Sequence, residues 1–250
     1  MTEEKVPAEL ARLWRLPSGS RLGRPAGLDV DQVVYAAVQL ADRDGLDGVT
    51  LSKVAQELDV TKMSLYRHVG SKSELFVLMG DLAIGPAPGI EPGTGWRDGL
   101  RAWAYAHREI FLRRPWMVHL PVSGPPGGPN AIAWMDALLR VLRDSGLDWA
   151  TKVSLLNLLG GYVRQAGLLT QQLTDGRRDA GIDQAQIERN YGRTLASLVD
   201  PTRFPDAAKL FASPTFDKRE DGTEPSDHEF AFGLELILDG VAAIIARPAE

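Results

Sequence analysis

The chain has 250 residues, 44% of them hydrophobic and 24% charged, a balance that excludes a disordered, collagen-like or membrane-bundle protein. The absence of cysteine rules out disulfides, zinc–thiolate sites, iron–sulfur clusters and thiol nucleophiles. The net charge of −5 argues against an all-over basic nucleic-acid binder, although a local patch can overrule that sum.

The N-terminus, Met1-Thr2-Glu3-Glu4-Lys5, is acidic and lacks the apolar stretch of a secretory signal. No apolar run reaches the roughly 18 residues that a membrane span needs, so the expected compartment is the cytoplasm, with no membrane partner. Residues 1–28 read as a flexible basic arm: from Arg12 to Leu28 there are Arg12, Arg15, Arg21 and Arg24 and no acid. A first helix is expected from Asp29, a capping residue with Gln32 three positions on. Val33, Val34, Ala37, Leu40 and Ala41 form its apolar face, and Gly45 ends it. Thr50 caps a short second helix with Leu51, Val54, Ala55 and Leu58 inward, and after Asp59 and Val60, Thr61 caps a third that runs to Val69. Ser71 to Glu74 reads as a further capping box, opening a helix with Leu75, Leu78 and Leu82. Gly85 to Gly93 holds three prolines and breaks the pattern, which sets a domain boundary after residue 84.

Two helices this short, joined by so tight a turn, must cross at a wide angle. That is helix-turn-helix geometry, in which the second helix is free to enter a DNA major groove. Its charge fits that use. From Thr61 to Lys72 stand Lys62, Arg67, His68 and Lys72 with no acid, interleaved with the hydroxyl-bearing Thr61, Ser64 and Tyr66. Residues 1–80 nevertheless carry ten basic against eleven acidic side chains, so positive charge is focused on one helix and one arm. Focused charge is the footprint of a specific DNA reader.

At these residues the sequence resembles the TetR family of bacterial transcriptional regulators. The likeness runs from Val33 to Leu75 and is sharpest in Leu65-Tyr66-Arg67-His68-Val69, followed by Lys72. The resemblance implies an all-α fold: a three-helix helix-turn-helix DNA-binding domain over residues 29–84, then a larger helical effector-binding and dimerisation domain over 85–250. It also implies a homodimer on a palindromic double-stranded operator, acting as a repressor released by a small apolar or aromatic effector. Carried over by position, Thr61, Lys62, Met63, Ser64, Tyr66, Arg67 and His68 lie on the recognition helix. Thr50 and Lys72 sit at helix N-termini, where free N–H groups also face phosphate. Lys62 and Met63 are expected at base edges, and Tyr66, His68 and Lys72 at phosphates. Arg21 and Arg24 are expected to reach the minor groove as an arm. The competing expectations are a merely solvated helix face and a tail without a role.

Beyond the boundary, helices are expected from Trp96 to Arg114, from Asn130 to Arg143, from Asp148 to about Leu173, and at the C-terminus. The centre of the third, Val153 to Leu169, is apolar nearly all round and so expected to be covered on more than one side. On the helices that line family pockets, Trp103, His107, Trp116, Met117, His119, Trp134, Met135, Tyr162 and Gln165 are the candidate effector contacts. The family's four-helix dimer interface would draw on Leu156, Leu159, Tyr162 and Val163 from one helix, and on Gly233, Ile237, Gly240, Val241 and Ile244 from another. For both sets the alternative is ordinary core. His107 and His119 lack the spacing of a ligand pair on one helical face, and no metal or cofactor is expected.

An enzyme is not expected. The chain has no Gly-x-Ser-x-Gly, His-Glu-x-x-His, P-loop or Gly-x-Gly-x-x-Gly. The remaining rivals are a dimeric DNA-binding protein that answers to no effector, and an interaction adaptor that no longer binds DNA.

Overall fold

The computed structural model describes residues 6–17, 28–122, 124–180, 184–216 and 225–247. Among these residues there are eleven α-helices and no strand. They are α1 (Ala8–Leu13), α2 (Val30–Asp44), α3 (Leu51–Glu57), α4 (Lys62–Val69), α5 (Lys72–Ile84), α6 (Trp96–Arg113), α7 (Pro129–Val141), α8 (Trp149–Ala180), α9 (Gln184–Leu198), α10 (Pro205–Phe211) and α11 (Pro225–Ile245). The expected all-α fold is the observed one. No helix among the described residues is long and apolar enough to cross a membrane.

The chain divides into two compact units, residues 1–168 with 234–250, and residues 169–233. In the first, α2 to α5 form a small head around Val33, Val34, Val54, Leu65, Val69, Leu75 and Met79, none of which is exposed. Local chemistry starts α2, α3 and α4 as read from the sequence. Asp29 and Gln32 exchange hydrogen bonds as a full capping box. Thr50 accepts from the Lys53 N–H at 3.2 Å, and Thr61 from that of Ser64 at 3.3 Å. Each such cap satisfies a helix-end donor that would otherwise lack a partner.

The cap of α5 differs from the expected box. Ser71 accepts from the Glu74 N–H at 3.0 Å, but the Glu74 carboxylate turns to Arg12 instead of back to Ser71. That pairing also corrects the reading of residues 1–28 as a flexible arm. Part of the segment is helix α1, with Leu13 buried and Arg12 held in a two-pronged ion pair to the nearly buried Glu74. The Trp14 indole donates to the Gly127 carbonyl at 2.7 Å, and Arg15 pairs with Asp31. Gly70 has a φ of +60°, and a Cβ there would fall 2.3 Å from a Glu74 carboxylate oxygen, so the turn into α5 needs glycine.

Residue 84 is a junction crossed by several side chains. Asp81 accepts from the Ala131 N–H at 2.9 Å and from that of Asn130, capping the start of α7, and burial pushes its carboxyl pKa up. The Arg114 guanidinium donates to the Ala83 carbonyl and to Asp42, and the Trp116 indole donates to Asp42 at 2.6 Å. Farther along, Arg97 and Arg101 on α6 both pair with Glu235 on α11.

The second unit holds elements that sequence periodicity did not resolve. There α9 and α10 meet through Tyr191, Phe211 and Phe216, whose ring centroids lie 5.4 to 5.7 Å apart. A Cβ on Gly192 would come within 2.7 Å of Phe216, so the α9 backbone sits directly against that ring.

Candidate nucleic-acid interface and effector site

Helix α4 separates its residues by periodicity. Leu65 and Val69, four apart, are fully buried and anchor it on the head. Met63 and Arg67 lie opposite them, with Tyr66 at the edge of that arc, and Thr61 and Lys62 precede Leu65 at the start of the helix; all five are exposed, and Ser64 and His68 are half-buried. Met63 is 70% exposed, an unusual place for an apolar side chain with no partner and one that suits contact with a base edge or methyl group. Among the described residues no carboxylate pairs with Lys62, Arg67 or Lys72. The Nζ of Lys72, at the N-terminus of α5, lies 5.0 Å from the centre of the Phe76 ring in a cation–π contact. Thr50 is half-buried at the start of α3, its hydroxyl committed to the cap. Arg21 and Arg24 lie outside the described residues. Of the other two arginines in that run, Arg12 and Arg15 face carboxylates.

The candidate pocket residues do not form one set. Trp103, His107 and Trp134 come together: the His107 ring lies 4.9 Å from Trp103 and 5.3 Å from Trp134. Phe111, also on α6, completes the group at 4.9 Å from His107. Its signal was available, since 103, 107 and 111 are four apart and share one stripe of α6. Both indoles are committed, Trp103 donating to the Trp134 carbonyl at 2.9 Å and Trp134 to the Gly85 carbonyl at 3.0 Å. His107 Nδ1 is buried with no hydrogen-bond partner, and burial pulls the imidazole pKa down to about 4. Trp116 belongs elsewhere, pinned to Asp42. Met117 is buried beside it in sequence, Met135 and Tyr162 are half-buried, and His119 and Gln165 are exposed. The half-buried Arg164 donates to the Val118 and Leu120 carbonyls, tying α8 to the 3-10 turn Pro115–His119.

The candidate dimer residues also divide. Leu159, Val163 and Val241 are buried within the single chain, so they are core and not a surface for a second copy. Leu156, Tyr162, Gly233, Ile237 and Ile244 are half-buried, and Gly240 is exposed. The uncovered apolar side chains lie one step around each helix: Val153, Leu158 and Leu169 on α8, and Phe232 and Leu236 on α11. The apolar centre of α8 is therefore not covered all round by its own chain. A Cβ on Gly160, Gly161 or Gly240 would meet nothing within 4 Å.

Two family models match the chain. The family described as "Tetracyclin repressor-like, C-terminal domain" matches residues 87–245, and "Bacterial regulatory proteins, tetR family" matches residues 33–79. The HTH-type transcriptional repressor DrrR1 of Streptomyces coeruleorubidus is 33% identical over 98% of this chain and 90% of its own. The tetracycline repressor protein class E of Escherichia coli is 28% identical over 87% of this chain and 92% of its own. Among solved structures, apo ActR from Streptomyces coelicolor is 28% identical with a TM-score of 0.72, covering 89% of this chain and 100% of that one. ActR in complex with actinorhodin superposes with a TM-score of 0.71 over the same shares, again at 28% identity.

Proposed function

The chain belongs to the TetR family of bacterial regulatory proteins, and on that premise we propose that it is a homodimeric repressor of a palindromic operator, released by a flat apolar or aromatic effector. The observation that carries the reading is α4: a helix anchored by Leu65 and Val69, with Met63 and Arg67 exposed opposite them and Lys62 exposed at its N-terminus. With Tyr66 at the edge of that face and Lys72 beyond it, the head offers contacts to base edges and to phosphates together. Dimerisation is supported by the bare apolar residues Leu158 and Leu236, beside glycines whose open sides let a second pair of helices approach closely. Two readers related by a two-fold axis call for a palindrome. The effector is supported by the Trp103–His107–Phe111–Trp134 cluster and by the relative ActR, solved with actinorhodin.

A route from effector to head runs through Trp134, which stands in the cluster and holds the Gly85 carbonyl at the end of α5. The N-terminus of α5 carries Lys72, and Leu65 of α4 is buried in the head core shared with α5. An effector that binds better when Trp134 moves shifts α5 and with it the spacing of the two α4 helices. Tight binding without such a preference shifts nothing.

Selection of bound sequences from a random DNA pool at two salt concentrations tests this reading. A palindromic motif with steep salt dependence is expected. Enrichment of single half-sites only, or of no motif, would overturn it.

A further inference from the structure

Helix α1 and the two residues after it carry none of the side chains expected on the recognition helix, yet they grip the head. Arg12 donates from Nη2 to Glu74 Oε2 at 2.8 Å, and Arg15 pairs with Asp31 just inside α2. Arg12 also lies on the turn that joins α4 to α5: a Cβ on Gly70 would fall 2.9 Å from its Nη2. The Glu74 side chain is only 8% exposed, so lifting α1 away would leave a buried carboxylate without its partner. Helix α1 is therefore a seated part of the fold.

The same short stretch is moored beyond the head. The Trp14 indole donates to the Gly127 carbonyl at 2.7 Å, and a Cβ on Gly127 would lie 3.3 Å from Leu10 and 3.9 Å from the buried Leu13. Gly127 opens the stretch to which α5 is also tied, since Asp81 accepts from the Asn130 and Ala131 N–H groups. Two connections thus run side by side from the start of α7 to the head. One is α5 itself, through Asp81; the other is α1, which reaches the first turn of α5 at Glu74. A swing of α5 against α7 must loosen one of them. With α1 seated, Met63 and Arg67 remain exposed, so it leaves that face of α4 uncovered.

We infer that α1 is a strap that positions the head: it holds the α4–α5 turn against the start of α7, and so raises affinity for an operator of two half-sites without touching DNA. This rests on the proposed repressor reading and adds a positioning helix to it. The physical reason is bivalence. Once one head is bound, the second binds at an effective concentration set by how narrowly the heads are held, and a loose head lowers it. Ordering a loose head on the operator also costs conformational entropy, a cost that the strap removes beforehand. A single half-site makes neither demand. Arg12 is here a positioning residue, its guanidinium held by Glu74.

The test uses the palindromic duplex recovered by operator selection and a duplex carrying one of its half-sites. Binding to the full-length protein is measured by fluorescence anisotropy at two salt concentrations. Leu10→Ser with Trp14→Ala strips the mooring at two partly exposed positions and leaves Arg12 and Glu74 in place. It should weaken the palindrome about tenfold, the population shift that one hydrogen bond per subunit can hold, and change half-site binding by less than about twofold. Arg12→Gln with Glu74→Gln removes the charges as a pair, so that none is stranded, and should keep the wild-type salt slope. A slope lower by about 2, one phosphate per subunit, would show Arg12 on DNA and overturn the inference. So would an unchanged or tighter palindrome in the first variant, or equal losses on both duplexes. Because the chain has no cysteine, Leu10→Cys with Gly127→Cys can be locked by dibromobimane. The locked protein should bind the palindrome as wild type does, and failure to cross-link, or loss of binding once locked, refutes the seated pose. Wild type that selects no palindrome removes the repressor reading and this inference with it. A palindrome bound equally by wild type and the Leu10–Trp14 variant removes this inference alone.

Discussion

The reading head and the aromatic cluster use similar residue types in opposite ways. On α4, the residues proposed to meet DNA are those that packing leaves over: Met63 and Tyr66 are exposed while Leu65 and Val69 hold the helix. In the cluster, Trp103, Phe111 and Trp134 are all nearly buried, and by exposure alone they are core. What sets the cluster apart from ordinary core is an unmet hydrogen bond, at His107 Nδ1. A surface that binds a large polar partner is recognised by what it exposes, and an internal site by what it leaves unsatisfied.

The largest expected effect tests this division within α4 itself. Leu65→Ala should lower stability to urea unfolding by about 3 kcal/mol, the range for emptying a buried leucine site. Lys62→Ala, three residues away, should change stability by less than about 0.5 kcal/mol, yet weaken operator binding by about 1–3 kcal/mol and relax its sequence preference. Equal stability losses from both would erase the distinction between anchoring and reading faces.

The next effect sharpens the cluster. The His107 pKa lies near 4 when folded, below the ordinary histidine value, so between the two values the unfolded chain binds more protons than the native one. Stability from this group is complete above the unfolded pKa of about 6.5 and is lost as the pH falls through the folded value. The loss is at most about 3 kcal/mol. His107→Phe should flatten that part of the stability profile, and parallel profiles for the two proteins would show that the ring does not resist protonation.

Smaller effects address the link and the clamp. Trp134→Phe keeps an aromatic ring, a smaller one, and removes the bond to the Gly85 carbonyl. It should cost about 1 kcal/mol in stability and uncouple effector binding from operator release in a gel-shift titration. Lys72→Ala should weaken all DNA sequences alike and reduce the slope of log affinity against log salt by about 1, the share of one phosphate.

Legibility followed the same line. Asp29, Thr50, Thr61 and Gly45 stand where the sequence places helix ends, because caps are local chemistry written within four residues. Glu74 shows the limit. Its spacing from Ser71 suits a capping box, but a guanidinium 62 positions away in the chain competes for the carboxylate and wins. The same distant contact turned part of an expected arm into α1. On α8 and α11, apolar periodicity identified the helices but not which apolar row stays bare, since Leu159 is buried and Leu158 is 54% exposed.

The sequence by itself determined the all-α class, the helix-turn-helix and its exposed basic face, because period, caps and charge act between near neighbours. Only the tertiary structure decided that Trp103, His107, Phe111 and Trp134 gather in one cluster, that Trp116 joins Asp42, and that a nitrogen of His107 is left without a partner among the described residues. Those outcomes depend on which side chains from distant helices arrive first at the same donor, acceptor or gap, and the order of residues along the chain does not record that competition.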